Sequence, residues 1–393
     1  MSSHPFDDIT ADQLRAAGSM KWSAYPDTIG AWVAEMDFGT SPEVTTALHD
    51  AVDRALFGYL PQSLVTQMSE SYARFAAERY SWGVDPARVR PVTDVLTALE
   101  LVITHYSRPG SPIILPTPAY MPFLTVPGLL GREIIQVPMA VTRPAGSSDG
   151  PRYTYDLDAI DAAFRAGGHL LVLCNPHNPI GRVLLPAEMQ AIAEVVDRHG
   201  GRVFSDEIHA PLVYEGHRHV PYASLSETAA SHTITATSAS KAWNLPGMKC
   251  AQLVLSNDAD AKVWTSIGRP AEMQTATLGL VASSAAYAES GAWLDDTLGY
   301  LRGNYRVLTD LLAAELPQVE VAPLEGTYLA WLDFRALDLG GLPPAAFLRT
   351  RAGVTLTDGA LCGMAGEGFA RLNLATPRPI LTEALTRIAA SLA

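Results

Sequence analysis

HLLVLCNPHNPIGRVLLPAEMQAIAEVVDRHGGRVFS, residues 169–205, decides the fold class. It opens on a short apolar run, 169–174, closed by turn residues. Such a run suits a strand buried on both faces of a parallel sheet. Residues 186–199 then carry apolar positions at helical spacing and stop at Gly200-Gly201. A second apolar run, 202–205, follows at once. Strand, helix, strand at this spacing is a crossover unit. Working outward, 111–115 (SPIIL) and 251–255 (AQLVL) repeat the strand signature. The expectation is an α/β fold: a large, mostly parallel sheet flanked by helices, over residues 46–285. The C-terminal part reads differently: a helix at 299–316, strands at 326–334 and 370–374, and a helix at 382–393. That α+β pattern is assigned, with residues 1–45, to a smaller domain. Residues 1–45 have no place of their own in the large sheet and are expected to pack on it. TRPAGSSDG, 142–150, reads as a surface loop.

The chain has 393 residues, more than one compact core accommodates, and 48% of them are hydrophobic. Its formal net charge of -13 repels phosphate backbones and argues against a nucleic-acid partner. Three widely spaced cysteines, Cys174, Cys250 and Cys362, form no CxxC, which fits a reducing cytoplasm. The first ten residues show no signal-peptide pattern, and no apolar stretch nears the roughly 20 residues of a membrane helix. A cytoplasmic protein with no membrane partner is expected.

Several residue groups carry chemistry. Lys241 follows Ser238-Ala239-Ser240 after a strand-like run at 232–237. A lone lysine is normally a solvated surface residue. Here Ser238, Ser240 and Lys249 can hold a phosphate, leaving Lys241 to form an imine with an aldehyde. Asp206 follows the 202–205 strand, where an acid can pair with a pyridinium nitrogen; the plain alternative is a helix cap. Glu207 reads as a structural or surface acid. Asn175, in CNPHNPIG at 174–181, can face a phenolic oxygen, or simply sit in a turn. Residues 93–100 read as a strand-to-helix junction, whose free N–H groups suit a phosphate or an ordinary cap at Thr93 or Asp94. Tyr120 can stack on a ring or fill the core. Arg371, inside an apolar strand, needs a partner: a substrate carboxylate or a domain acid. His209, His217 and His219 cluster in sequence, but the 214–220 loop (YEGHRHV) reads as solvated and no metal site is expected. His177 and His209 are read as residues behind the site.

In order along the chain, Lys21-Trp22, 32–38 (WVAEMDF), Phe57-Gly58-Tyr59, Pro118-Ala119-Tyr120, 175–181 (NPHNPIG), 205–209 (SDEIH), 238–249 (SASKAWNLPGMK) and Arg371-Leu372-Asn373 resemble pyridoxal-phosphate (PLP) enzymes of the aspartate-aminotransferase fold. More narrowly they are similar to the MalY/PatB group of cystathionine β-lyase-like C–S lyases, from about residue 6 onward. The resemblance implies PLP held by Lys241 as a Schiff base, Lys241 also moving the Cα proton. It implies Asp206 at the pyridinium, Asn175 at the phenolic oxygen and Tyr120 stacked on the ring. Val95, Leu96, Ser238, Ser240 and Lys249 fall at the phosphate, with His209 near the cofactor. Arg371 takes the substrate carboxylate. Tyr59 matches a tyrosine reaching a neighbouring subunit's phosphate, which implies a homodimer acting on a small amino acid. Three positions depart from the usual pattern: Glu35 for Asp, Asp94 for glycine, and Leu184 where Trp is frequent. The expected reaction is β-elimination from cystathionine or another cysteine S-conjugate. Transamination, a tailoring reaction on a cysteine-conjugated intermediate, and a regulatory binding role remain open.

Overall fold

A computed structural model describes residues 4–143 and 150–392. Residues 144–149 of the stretch read as a surface loop, the first three residues and Ala393 lie outside them.

The central sheet has seven strands: β1 (Val89–Val92), β2 (Ile113–Thr117), β3 (Ile134–Pro138), β4 (Leu170–Cys174), β5 (Arg202–Asp206), β6 (Thr233–Thr237) and β7 (Ala251–Leu255). Their order is β1-β7-β6-β5-β4-β2-β3. β2 pairs in parallel with β3 and β4, and β4, β5 and β6 continue that sense; β7 is antiparallel to β6 and β1. Four strands, β2, β4, β6 and β7, are buried at every position. Burial on both faces is why they read as unbroken apolar runs rather than alternating ones. β2 runs two residues further than the apolar run, through Pro116 and Thr117, because Pro116 and Thr117 still register with Val137 and Pro138.

Between β4 and β5 lies helix α1 (Pro186–Arg198), closed by Gly200 at φ +58°. Gly181, at the turn after β4, has φ +72°, and a Cβ there would meet Leu324 Cδ1 at 2.5 Å. Only glycine serves both the left-handed backbone and the close approach.

A second sheet is formed by β8 (Glu320–Val321), β9 (Leu329–Asp333), β10 (Thr357–Asp358) and β11 (Phe369–Asn373), in the order β8-β9-β11-β10. Ahead of it runs the helix Gly291–Glu315, eight residues longer at its start than the sequence suggested. Gly299 looked like a beginning, but Leu294, Leu298 and Leu301 keep helical spacing across it and all three are buried. The last helix, Arg378–Leu392, also starts earlier than expected.

The expected packing of residues 1–45 on the large sheet is corrected in part. Ile29–Gly30 instead pairs in parallel with Val354–Thr355. Asn373 Nδ2 donates to the carbonyls of Val33 (2.6 Å) and Glu35 (2.7 Å). Asn244, beyond β6, meanwhile exchanges hydrogen bonds with the backbone of Met36. The segment therefore bridges the two sheets. It is anchored by a buried ion pair, Lys21 Nζ to Asp37 Oδ2 at 2.8 Å. Trp22 Nε1 donates to Asp37 Oδ1 at 2.9 Å, and Lys21 N to Glu35 Oε1 at 3.0 Å. The two motifs Lys21-Trp22 and 32–38 are thus one interlocked unit.

Candidate active site

Ligands of open α/β sheets bind beyond the carboxyl ends of strands. Here β1 ends before Thr93, β2 before Pro118, β5 at Asp206 and β6 before Ser238. All four ends open on one cavity of about 380 Å³. The expected site residues line it, with two exceptions, Asn175 and Tyr59.

Asp206 is buried at the tip of β5. Its Oδ1 accepts from Ile208 N (3.1 Å), and the Cys174 thiol lies 3.6 Å from Oδ2. Burial, the largest influence, pushes its carboxyl up to about 7. Lys241 donates from Nζ to the Ala34 carbonyl at 2.8 Å. Burial first, then the Arg371 charge, brings its amine down to about 8. A lysine in this state supplies a neutral amine near physiological pH.

Arg371 sits mid-strand in β11, fully enclosed. Nη1 donates to Asn178 Oδ1 (2.9 Å); Nη2 donates to the Trp32 carbonyl (2.9 Å) and Thr357 Oγ1 (3.0 Å). Its Nε has no partner. All these acceptors are neutral, and among the described residues no carboxylate pairs with it. The domain-acid alternative is therefore removed. A buried guanidinium without a counter-charge is costly unless an anionic ligand completes it.

Asn175 is corrected. Its Oδ1 accepts from Leu184 N at 3.0 Å and its Nδ2 faces Met189 Sδ at 3.5 Å, so it fastens the turn beneath the site. Asn178, three residues on, lines the cavity in its place. The signal was present as the second Asn-Pro of NPHNPIG, but the spacing alone did not say which asparagine turns inward. The backbone carbonyls of Ala34 and Trp32 were also missed. They carry no side-chain signature at all.

His209 lines the cavity with its ring 6.0 Å from Tyr328, and burial with the Lys241 and Arg371 charges holds it neutral. His177 bridges the Tyr155 hydroxyl (2.9 Å) and the Pro118 carbonyl (2.8 Å), behind the site as expected. The 214–220 loop is not wholly solvated. His219 is buried and bonds Glu207 Oε2 at 3.0 Å. Glu207 also accepts from Ser205 Oγ and Tyr222 N, which makes it a structural acid rather than a surface one. Among the described residues no cluster of three or more metal-ligating groups occurs. Tyr59 lies outside the cavity, 93% exposed.

The donor set fits pyridoxal phosphate. One end offers the first N–H groups of helix α2 (Val95–His105) at Val95 and Leu96, with Ser240 and Lys249 beside them. Ser238 Oγ spends its proton on the Cys250 carbonyl (2.7 Å) and accepts from Ser240 N (3.0 Å), which leaves Ser240 as the hydroxyl donor. The other end offers the Asp206 carboxylate, with the Lys241 amine and the Tyr120 ring between.

The chain belongs to the class I and II aminotransferase family, matched over residues 29–388. Within it, the chain is 40% identical to the cystathionine β-lyase of Corynebacterium glutamicum, covering 97% of this chain and 98% of that one. It is 31% identical to the cystathionine β-lyase PatB of Bacillus subtilis (strain 168), covering 95% and 96%. The crystal structure of a proposed PLP-dependent β-cystathionase from Corynebacterium diphtheriae superposes with a TM-score of 0.90, at 38% identity and 98% coverage of both chains.

Proposed function

We propose that the protein is a PLP-dependent carbon–sulfur β-lyase. It would convert cystathionine or another cysteine S-conjugate, with one water, into a thiol, pyruvate and ammonia. The observation that carries this reading is the convergence of Lys241, Asp206 and the unpaired Arg371 on one cavity. The 40% identity to a cystathionine β-lyase supports elimination over transamination.

Bound pyridoxal phosphate supplies a carbonyl that captures the substrate amine and a ring that accepts negative charge from Cα. Arg371 grips the substrate carboxylate, its guanidinium already oriented by Asn178, Trp32 and Thr357. The neutral Lys241 amine takes the Cα proton and can deliver it to the departing sulfur. Asp206, whose charged form is disfavoured first by burial and then by the Glu207 charge, would hold the ring nitrogen in its protonated form.

Two further readings belong here. Exposed Tyr59 and Phe57, at 93% and 66%, support a homodimer joined near this segment. Three free, buried cysteines support a cytoplasmic location, and no helix among the described residues is long and apolar enough to cross a membrane.

The test is release of pyruvate and free thiol from L-cystathionine and a short panel of S-substituted cysteines. Equal amounts of both are expected. A keto acid formed with no thiol would move the assignment to transamination, and no product at all would leave a binding role.

The Lys241 environment makes a pH prediction. The neutral amine attacks, and its fraction grows as pH passes the lysine's own value. Covalent capture of the cofactor by apoprotein, followed by its visible absorbance, should therefore be half-maximal at about pH 8 and level off about one pH unit higher. Acceleration continuing beyond pH 10 would mean that burial does not tune this amine.

A further inference from the structure

Asp94 places a carboxylate where the cofactor's phosphate would bind. It caps α2: Oδ1 accepts from Thr97 N at 2.8 Å and from Thr97 Oγ1 at 3.0 Å. Its other oxygen, Oδ2, accepts from Lys249 Nζ at 3.0 Å. Lys249 is the one cation at this end of the cavity among the described residues, since the other lining cations, Lys241 and Arg371, belong to the substrate end. Burial pushes the Asp94 carboxyl up, but the bonds from Thr97 and Lys249 outweigh it and hold the group below its ordinary value. It is charged at neutral pH.

A capping anion and a bound phosphate both draw on the helix N-terminus and on Lys249. Lys249 cannot neutralise both, and two like charges within a few ångströms repel. Resting on the proposed use of pyridoxal phosphate, we propose that Asp94 is a built-in competitor for the cofactor's phosphate. It claims Lys249 and the Thr97 N–H of α2 for its own carboxylate, and leaves the Val95 and Leu96 N–H groups to the phosphate. The cofactor is then held more weakly, and exchanges more readily, than the remaining donors allow. Asp94 also keeps Lys249 and α2 in place during exchange, so the cradle does not have to be rebuilt each time.

Asn and Ser are as good helix caps as Asp but carry no charge. Apoprotein of the wild type, Asp94→Asn and Asp94→Ser is titrated with pyridoxal phosphate by absorbance, and with inorganic phosphate by the shift in thermal midpoint. Both variants are expected to bind each ligand about tenfold more tightly or better, and to release the cofactor more slowly on dilution. Thermal midpoints without ligand show whether the cap survives; two different caps guard against a folding defect in one of them. Unchanged or weaker binding in a variant that melts like the wild type overturns the inference while leaving the lyase assignment intact. Failure of the wild type to take up the cofactor overturns both.

Discussion

Lys241→Ala is expected to slow pyruvate release by about 10³-fold, near the middle of what a positioned acid–base group contributes. The loss should fall on turnover, because Arg371 and its three supporting partners are untouched. The fold should survive. Lys241 is buried, its hydrogen bond goes to the Ala34 carbonyl, and its removal breaks no direct ion pair among the described residues, although Glu35 and Asp206 lose the pull of its charge. Ala34 O keeps a second donor, the Tyr328 hydroxyl at 2.9 Å. The thermal midpoint of the apoprotein should therefore stay close to that of the wild type while activity collapses. A variant retaining activity within tenfold of the wild type would remove Lys241 from the proton transfer, and with it the mechanism above.

The second large effect is on stability. Asp37→Ala should destabilise the protein by about 3–5 kcal/mol, read from the denaturant midpoint, because it leaves the Lys21 ammonium buried without a counter-charge. The Trp22 indole N–H loses its acceptor in the same step. The Ala375 carbonyl, 3.3 Å from Lys21 Nζ, offers only a dipole in exchange. The comparison is Glu383→Ala, which breaks a pair with Arg387 whose side chains are 58% and 45% exposed. That change should cost no more than about 0.5 kcal/mol. Similar costs for the two would mean that water reaches the Lys21–Asp37 pair in solution.

This buried pair explains why the segments at Lys21-Trp22 and 32–38 were such specific markers in the sequence. The first brings a cation and an indole N–H; the second brings the carboxylate that accepts from both. Neither can change alone without stranding a polar group. The function of the unit is indirect: it carries Trp32 and Ala34 to the cavity, where their carbonyls hold Arg371 and Lys241.

The sequence by itself determined the layered α/β architecture, because strands buried on both faces must be apolar throughout and their connecting helices must be half apolar. It also located Lys241, Asp206 and Arg371, since each is a charged residue standing beside or within an apolar strand, where it needs a chemical reason. Strand ends were legible to within two residues in the central sheet for the same reason, and to within three in the second, where the strand expected at 326–334 runs Leu329–Asp333. The choice between Asn175 and Asn178 was not legible. Both stand before a proline in one short turn, and only the placement of Leu184 N under one and Arg371 under the other separates them. The pairing of Asp94 with Lys249 joins residues 155 positions apart, and the use of backbone carbonyls from 32 and 34 depends on no side chain. Such contacts are decided by how the N-terminal segment bridges the two sheets. Local pattern encodes which face of an element is buried; it does not encode which distant element covers it, and that was settled only by tertiary packing.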